Sequence, residues 1–280
     1  MLAPLIKWPG GKRRIAELVS AQLSAGPGMY YEPFAGSLAV LVYRRQSEIR
    51  QTAVASDVNE RLISMYRAVR DAHTAVIAEL RKLPRLASRA SYDEIRQQFN
   101  EAPREDRSPK QAARFLWLNR ACFNGLYRES ADGSFNAPIG VDGGIVPIPA
   151  PAKIEAFALL LGGVKLLIRS WDQVFLESLT ERDTIYLDPP YLPRIDESFT
   201  GYTGAGFGLE EHKGLCRAAG ECRARVVLSG SDTAETNRIA TEAGLVLAAR
   251  LKLAHTIGAS SDSKQLVGEV LYTNRAPRLA

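Results

Sequence analysis

Short apolar runs recur along the chain, and most are separated by helical patterns; no other feature restricts the fold as much. The runs are "MYYEPF" (29–34), "TAVASD" (52–57), "KLLIRS" (165–170), "TIYLDP" (184–189), "ARVVLSG" (224–230) and "GEVLYTN" (268–274). Their length and β-branched and aromatic content predict strands. Between them, "KRRIAELVSAQL" (12–23), "SLAVLVYRRQ" (37–46), "ERLISMYRAVRDA" (60–72), "EEHKGLCRAAGEC" (210–222) and "AETNRIATEAG" (234–244) repeat at helical spacing, the last closed by Gly244 as a C-terminal cap. Strand alternating with helix predicts an α/β fold with a mostly parallel, doubly wound sheet that binds ligands at the carboxyl ends of its strands.

One region interrupts the alternation. From the helix over 60–72 to the strand at 165 run roughly ninety residues without a good strand, too many for an ordinary crossover. Residues 73–150 are therefore expected to form an inserted, mainly helical module, with "EAPREDRSPK" (101–110) as an exposed loop. The 280 residues hold no apolar run that could span a membrane, and the basic residues of "MLAPLIKWPGGKRR" follow its apolar ones, the reverse of a signal peptide; a cytoplasmic protein is expected. Cys122, Cys216 and Cys222 lack paired spacing and histidine company, so neither a disulfide framework nor a metal site is indicated and they read as small buried hydrophobes. His73, His212 and His255 read as surface or structural. A net charge of +5 permits a polyanionic partner without demanding one, and basic residues cluster at 12–14, 43–45, 81–89 and 250–255.

Four segments could carry chemistry. In "KWPGGKRR" (7–14), Gly10 and Gly11 allow close backbone approach at the start of a helix, and Lys7 and Lys12 add positive charge, which suits a carboxylate or other anion; a plain helix cap is the alternative. In "YYEPFAGS" (30–37), a strand ending in Glu32 leads through Phe34 and Gly36 into a helix, a turn that can seat a nucleoside. It lacks the full glycine fingerprint, and Glu32 could instead cap the helix. Roughly twenty residues on, Asp57 ends the next strand, where a carboxylate reaches ribose hydroxyls; Asp57 or Asn59 serving as a mere N-cap is the alternative. In "FLWLNRACFNGLYRESADGSFNAPIG" (115–140), aromatic, amide and arginine side chains are interleaved as base stacking and reading require. Asn124 and Gly125 are explained by a turn, whereas Arg120, Phe123, Tyr127 and Arg128 are not.

The fourth segment is "DPPY" (188–191). Two prolines end a strand, because they cannot donate to its ladder. They also stiffen the chain so that the Asp188 carboxylate and the Pro189 carbonyl become two fixed acceptors beside the π-face of Tyr191. An exocyclic amine on a base fits that pair, and accepting both its N–H bonds favours a nucleophilic, pyramidal nitrogen. A proline-rich turn with Asp188 as turn former is the alternative.

Together, "KWPGGK", "EPFAGS", "SDVNE", "LNRACFNGLYR", "GSFNAPIG", "DPPY" and "SSDSKQLVGEVLY", in that order, resemble the Dam family of DNA adenine-N6 methyltransferases, the D12 class of alpha-group order. The resemblance covers nearly the whole chain. It implies a Rossmann-like class I methyltransferase sheet, S-adenosylmethionine as donor, duplex DNA as substrate and base flipping. It also implies a division into a catalytic domain over 1–72 and 151–280 and a target-recognition domain over 73–150. By the same resemblance Trp8, Pro9, Gly10 and Lys12 would line the donor's amino-acid part with Glu32, Phe34 and Gly36 beside it. Asp57 would hold the ribose, Asp172 would lie near the donor's adenine, and Asp188, Pro189, Pro190 and Tyr191 would form the catalytic pocket. Phe123 would stack in the duplex, Asn124 would face the flipped-out site, Leu126, Arg128 and Pro138 would contact base edges, and Lys7 would touch the first base. Arg120 joins this DNA-facing set.

Two departures stand out. Leu38 occupies a position where the family usually has a second glycine, and Val141 and Asp142 stand where GATC-methylating relatives commonly carry arginine and tyrosine. A GATC-like target is expected, its first base least fixed, and a cognate restriction endonuclease is a partner the resemblance allows. Cytosine N4 or RNA adenine as acceptor, and a binding protein on an inactive methyltransferase fold, are the rival readings. Asp rather than Ser at 188 favours adenine by resemblance, and the intact 188–191 run argues against the inactive fold.

Overall fold

A computed structural model describes residues 2–192, 207–254 and 266–278; His255 and the "SSDSKQ" part of the last motif lie outside them. Seven strands form one sheet: β1 (Tyr30–Glu32), β2 (Ala53–Asp57), β3 (Lys165–Ile168), β4 (Thr184–Leu187), β5 (Arg225–Ser231), β6 (Val246–Ala254) and β7 (Leu266–Thr273). Their spatial order is β3-β2-β1-β4-β5-β7-β6. The first five in that row pair in parallel, and β7 runs antiparallel between β5 and β6. This is the α/β, mostly parallel sheet expected, with an antiparallel edge. Strand order reverses between β1 and β4, and the crevice outside the carboxyl ends of that pair is where such sheets bind ligands.

Strand β6 was not expected. Its "RLKL" stretch reads as a basic cluster, yet Arg250 and Lys252 alternate with leucines as an edge strand requires, and Arg250 pairs with Asp232 at 2.8 Å. The two faces of the sheet divide the core by the two-residue period of a strand. Tyr30, Ala55, Leu166, Tyr186, Val227 and Leu271 point into one cluster, and Tyr31, Val54, Ile185, Leu187, Val226 and Val270 into the other. Helices α1 (Ala16–Gln22), α2 (Ala39–Gln46), α3 (Glu60–Lys82) and α6 (Pro151–Leu160) contribute to the first cluster. Helices α7 (Leu209–Glu221) and α8 (Ala234–Glu242) contribute to the second, α8 ending at a left-handed Gly244 with φ 76° as its composition foretold.

Helix α3 corrects the expected end at 72. Asn59 caps it by accepting from the Leu62 amide at 2.9 Å, Ala72 leaves helical geometry, and the helix then resumes to Lys82. The break at Ala72 is where the first amphipathic pattern ends. Residues 73–150 hold the second half of α3, α4 (Arg89–Glu101), α5 (Pro109–Ala121), a 3-10 turn over Phe123–Gly125 and isolated bridges. Their apolar side chains, including Tyr92, Phe99, Phe115 and Trp117, merge with the core on the α3 side of the sheet. The 101–110 stretch links α4 to α5 as expected. It is less free than its charge suggests, because Arg104 pairs with Glu60 at 2.8 Å and Glu129 at 3.0 Å.

Candidate active site

Three turns meet over the carboxyl ends of β1, β2 and β4. The first follows β1. Gly36 takes a left-handed φ of 43°, and a Cβ there would lie 2.9 Å from the Trp8 indole, so only glycine lets the indole cover this turn. Leu38 is also left-handed, with φ 57°, and fully buried. A left-handed leucine costs about 1–2 kcal/mol, which is the physical content of the missing second glycine. Glu32, expected beside a cofactor, lies instead beneath the turn. Its Oε2 accepts from the Tyr30 hydroxyl at 2.6 Å and the Leu41 amide at 3.1 Å, and burial pushes its carboxyl up to about 8.

The second turn follows β2. The amides of Gly36 and Asn59 donate to Asp57 at 3.2 and 3.0 Å, tying it to the first turn. Burial raises the carboxyl to about 6, opposed by these amides and that of Val58. Three amides leave a carboxylate with acceptor capacity for a ligand hydroxyl. Phe34 packs edge to face on Phe207, and Asp172 is exposed on a 3-10 turn (Trp171–Leu176) whose Trp171 also meets Phe207.

The third turn is the proline stop of β4. Asp188 receives the Lys12 ammonium on Oδ1 at 2.8 Å, and the same ammonium donates to the Gly10 carbonyl at 2.6 Å and lies 4.8 Å from the centre of the Tyr191 ring. Burial pushes the Asp188 carboxyl up to about 6, while Lys12 holds it down. Sequence reasoning placed Lys12 with the donor, not against Asp188. It also missed Glu269 of β7, which accepts from the Tyr191 hydroxyl at 2.7 Å and lies 3.6 Å from Lys12. The signal was present in "GEVLYT": an acid at the head of an apolar strand run, where a carboxylate needs a partner.

The "KWPGGK" turn is not the start of a helix, as was expected; α1 begins four residues after Lys12, at Ala16. Gly10 is left-handed with φ 70°, and Trp8 stacks on Tyr127 with ring centres 5.1 Å apart. Pro9 lies between them, half-buried. Asn119 of α5, unnoticed in the sequence, clamps Lys7 by accepting from its amide at 2.9 Å and donating to its carbonyl at 2.8 Å.

The clamp brings Lys7 against the turn over 123–125. Asn124 and Gly125 are both left-handed, with φ 52° and 71°, and a Cβ on Gly125 would come within 2.5 Å of the Lys7 side chain. Residues 122–139 form a ragged hairpin through the bridges Cys122 to Ile139 and Glu129 to Phe135. Phe123 is 49% exposed beside the bridge at its open end, Asn124 and Pro138 are exposed and Leu126 is half-buried. Arg128 donates from Nε to the Asn136 side chain at 2.7 Å and from Nη2 to its carbonyl at 3.0 Å, so an exposed guanidinium is held ready with donors to spare. Two residues do not join this ridge. Tyr127 is core, stacked between Trp8 and Phe115, and Arg120 turns inward to the Leu5 carbonyl at 2.7 Å, where burial lowers its basicity.

His212 is structural as expected, with Nδ1 3.0 Å from the Gly208 carbonyl, and Cys122 and Cys216 are buried. Among the described residues no helix is long and apolar enough to cross a membrane.

The sequence model of the family described as "D12 class N6 adenine-specific DNA methyltransferase" matches residues 8–251. The "Type II methyltransferase M.MjaIII" of Methanocaldococcus jannaschii is 31% identical over 227 residues, 76% of this chain and 78% of that protein. The "Type II methyltransferase M1.LlaDCHI" of Lactococcus lactis is 28% identical over 279 residues, covering 98% and 95%. A "DNA adenine methylase" of Vibrio cholerae is 29% identical over 273 residues, covering 95% and 94%. With the switch-point crevice, the "DPPY" stop and a match over most of its length, the chain belongs to the D12 class of N6 adenine-specific DNA methyltransferases.

Proposed function

We propose that this methyltransferase takes its methyl group from S-adenosylmethionine and delivers it to an adenine turned out of duplex DNA, in a GATC-like site. The observation that carries the reading is the juxtaposition, at one switch point, of the Gly36 and Asp57 turns with Asp188 and Tyr191. The residues fit the donor. Asp57 keeps acceptor capacity for ribose hydroxyls, and Gly36, bare of a side chain, lets the Trp8 indole close over the turn beside it. Trp8, Pro9 and Gly10 would line the amino-acid part with Phe34 and Gly36 beside it, and Asp172 would lie near the adenine. When bound, S-adenosylmethionine supplies an electrophilic methyl carbon on a sulfonium.

The chain's own residues do the rest. The target amine donates one N–H to Asp188 and the other to the Pro189 carbonyl, which Pro190 keeps in place. Both bonds draw the nitrogen lone pair out of conjugation and toward the methyl carbon. Asp188 accepts the proton that the nitrogen already shares with it as the nitrogen takes the methyl group and the C–S bond breaks, whose electron pair stays on sulfur as a neutral thioether. Tyr191 offers the base a ring face, and the prolines prevent the pair of acceptors from drifting.

Residues 73–150 are the target-recognition part in this reading. Phe123 fills the gap in the stack, Asn124 faces the displaced pair, Lys7 reaches the first base, and Leu126, Arg128 and Pro138 meet base edges. Val141 and Asp142 lie where relatives commonly read the outer base, so that position carries the weakest constraint. The names of the similar proteins divide between type II methyltransferases and adenine methylases, and a nuclease partner belongs to the first of these settings.

The test is expression in a host without DNA methylation, followed by single-molecule mapping of N6-methyladenine. A methylated GATC-like motif is expected, and its absence in favour of another base or motif overturns the target. Purified Asp188→Ala should lose transfer of labelled methyl groups while still binding duplex; full activity would remove Asp188 from the mechanism.

A further inference from the structure

Around Lys12 the charges do not balance. The ammonium is buried at 6% exposure and already neutralised by Asp188 at 2.8 Å, yet a second carboxylate, Glu269, is buried beside the pair. Buried charges are tolerated when paired, and this one leaves the cluster with a surplus negative charge. The surplus works against Asp188, whose carboxyl it pushes toward the protonated form. Charge balance therefore does not explain Glu269. Its short contact does: the Tyr191 hydroxyl donates to Glu269 Oε1 at 2.7 Å, whereas Lys12 stands off at 3.6 Å.

We propose that Glu269 is a positioning residue for methyl transfer, fixing from β7 the pitch of the Tyr191 ring on which the target base stacks. Tyr191 follows two prolines that stiffen the chain leading to it but leave its side-chain torsions free. Its near end is held by "DPPY" and its far end by Glu269, a residue 78 positions away. The Lys12 ammonium lies over the ring, 4.8 Å from its centre, leaving the base the opposite face. A ring free to tilt would carry the base away from the Asp188 and Pro189 acceptors, and misplacement of about 1 Å at a reacting centre costs on the order of 100-fold in rate.

The inference rests on Asp188 to Tyr191 being the catalytic segment. Its test compares Glu269→Gln, Glu269→Ala, Tyr191→Phe and the double variant Glu269→Ala/Tyr191→Phe, with Asp188→Ala in parallel. Three quantities are read: the single-turnover methylation rate at saturating S-adenosylmethionine and duplex, donor affinity by calorimetry, and fluorescence of a duplex carrying 2-aminopurine at the target position. Glu269→Ala and Tyr191→Phe should each slow methylation about 10- to 100-fold, with the same fluorescence change and donor affinity within about twofold. The double variant should be no slower than the worse single one, as for two residues acting through one contact. Glu269→Gln, which keeps an acceptor, should restore most of the rate. Multiplicative losses, or a Gln variant as slow as Ala, overturn the proposal. Should Glu269→Ala not fold, a Tyr191→Phe enzyme of wild-type rate overturns it equally. Full activity of Asp188→Ala would instead fell the reading of the site, whereas an inactive Asp188→Ala beside a wild-type Tyr191→Phe fells only this inference.

Discussion

Glu32 ends β1 as a buried acid whose surroundings favour the protonated form: burial and the nearby Asp188 push its carboxyl up, and the Tyr30 hydroxyl, Leu41 amide and Arg44 only partly oppose them. Between its ordinary 4.5 and its folded value of about 8, the folded chain keeps a proton that the unfolded chain has released. Stability from this group therefore falls as pH rises through that window. Asp57 and Asp188, each raised to about 6, act in the same direction at lower pH. Glu32→Gln retains acceptors for Tyr30 and Leu41 without the ionisation. Calorimetry at pH 6 and pH 8 should show the melting temperature falling less between the two for the variant; an unchanged fall would acquit Glu32. At this scale "DPPY", Gly36 and Asp57 were legible because each marks a strand end by its own residue type: prolines, a glycine or a carboxylate. Their partners nonetheless lie far along the chain, Lys12 for Asp188, Trp8 for Gly36, and Gly36 and Asp57 for each other. Glu269 and Asn119 were not legible, because neither marks such an end and their partners arrive through the sheet and through α5.

Among elements, the parallel strands and the helices between them were legible in their alternation, whereas β6 and the second half of α3 were not. Strand β6 is an edge strand whose charged alternate residues mask it, and α3 is interrupted at Ala72, so its periodicity restarts. The hairpin over 122–139 carries the residues proposed to read the target, and its approach to Lys7 depends on Gly125. Gly125→Ala forces a left-handed alanine, at about 1–2 kcal/mol, and drives a methyl into Lys7. Fluorescence anisotropy should show weaker binding to the cognate duplex with little change for an unrelated one. Equal affinity for the cognate duplex would mean that Lys7 and the turn act independently.

At the scale of the molecule, the 73–150 segment shares the sheet's core and is tied to the α3 N-terminus by Arg104, so the face expected to read DNA is held in register with the face expected to act on it. The net charge of +5 supplies general attraction for a polyanion but no choice of sequence. Choice is expected from held donors such as Arg128. Replacing it with alanine should cost about 1–3 kcal/mol at one base position, measured by competition among singly altered duplexes. A uniform loss over all duplexes would reassign Arg128 to a phosphate.

The antiparallel strand β7 follows β6 in sequence but lies between β5 and β6. On the ribosome, the Lys7 turn, the hairpin and Asp188 all emerge before the residue that steadies Tyr191. A nascent chain halted after β6 would present an open β5 edge and an unpaired β6, both prone to pairing with other chains. Such a fragment would be fodder for proteases rather than a partial enzyme, and translation must reach β7 before the molecule can modify a genome.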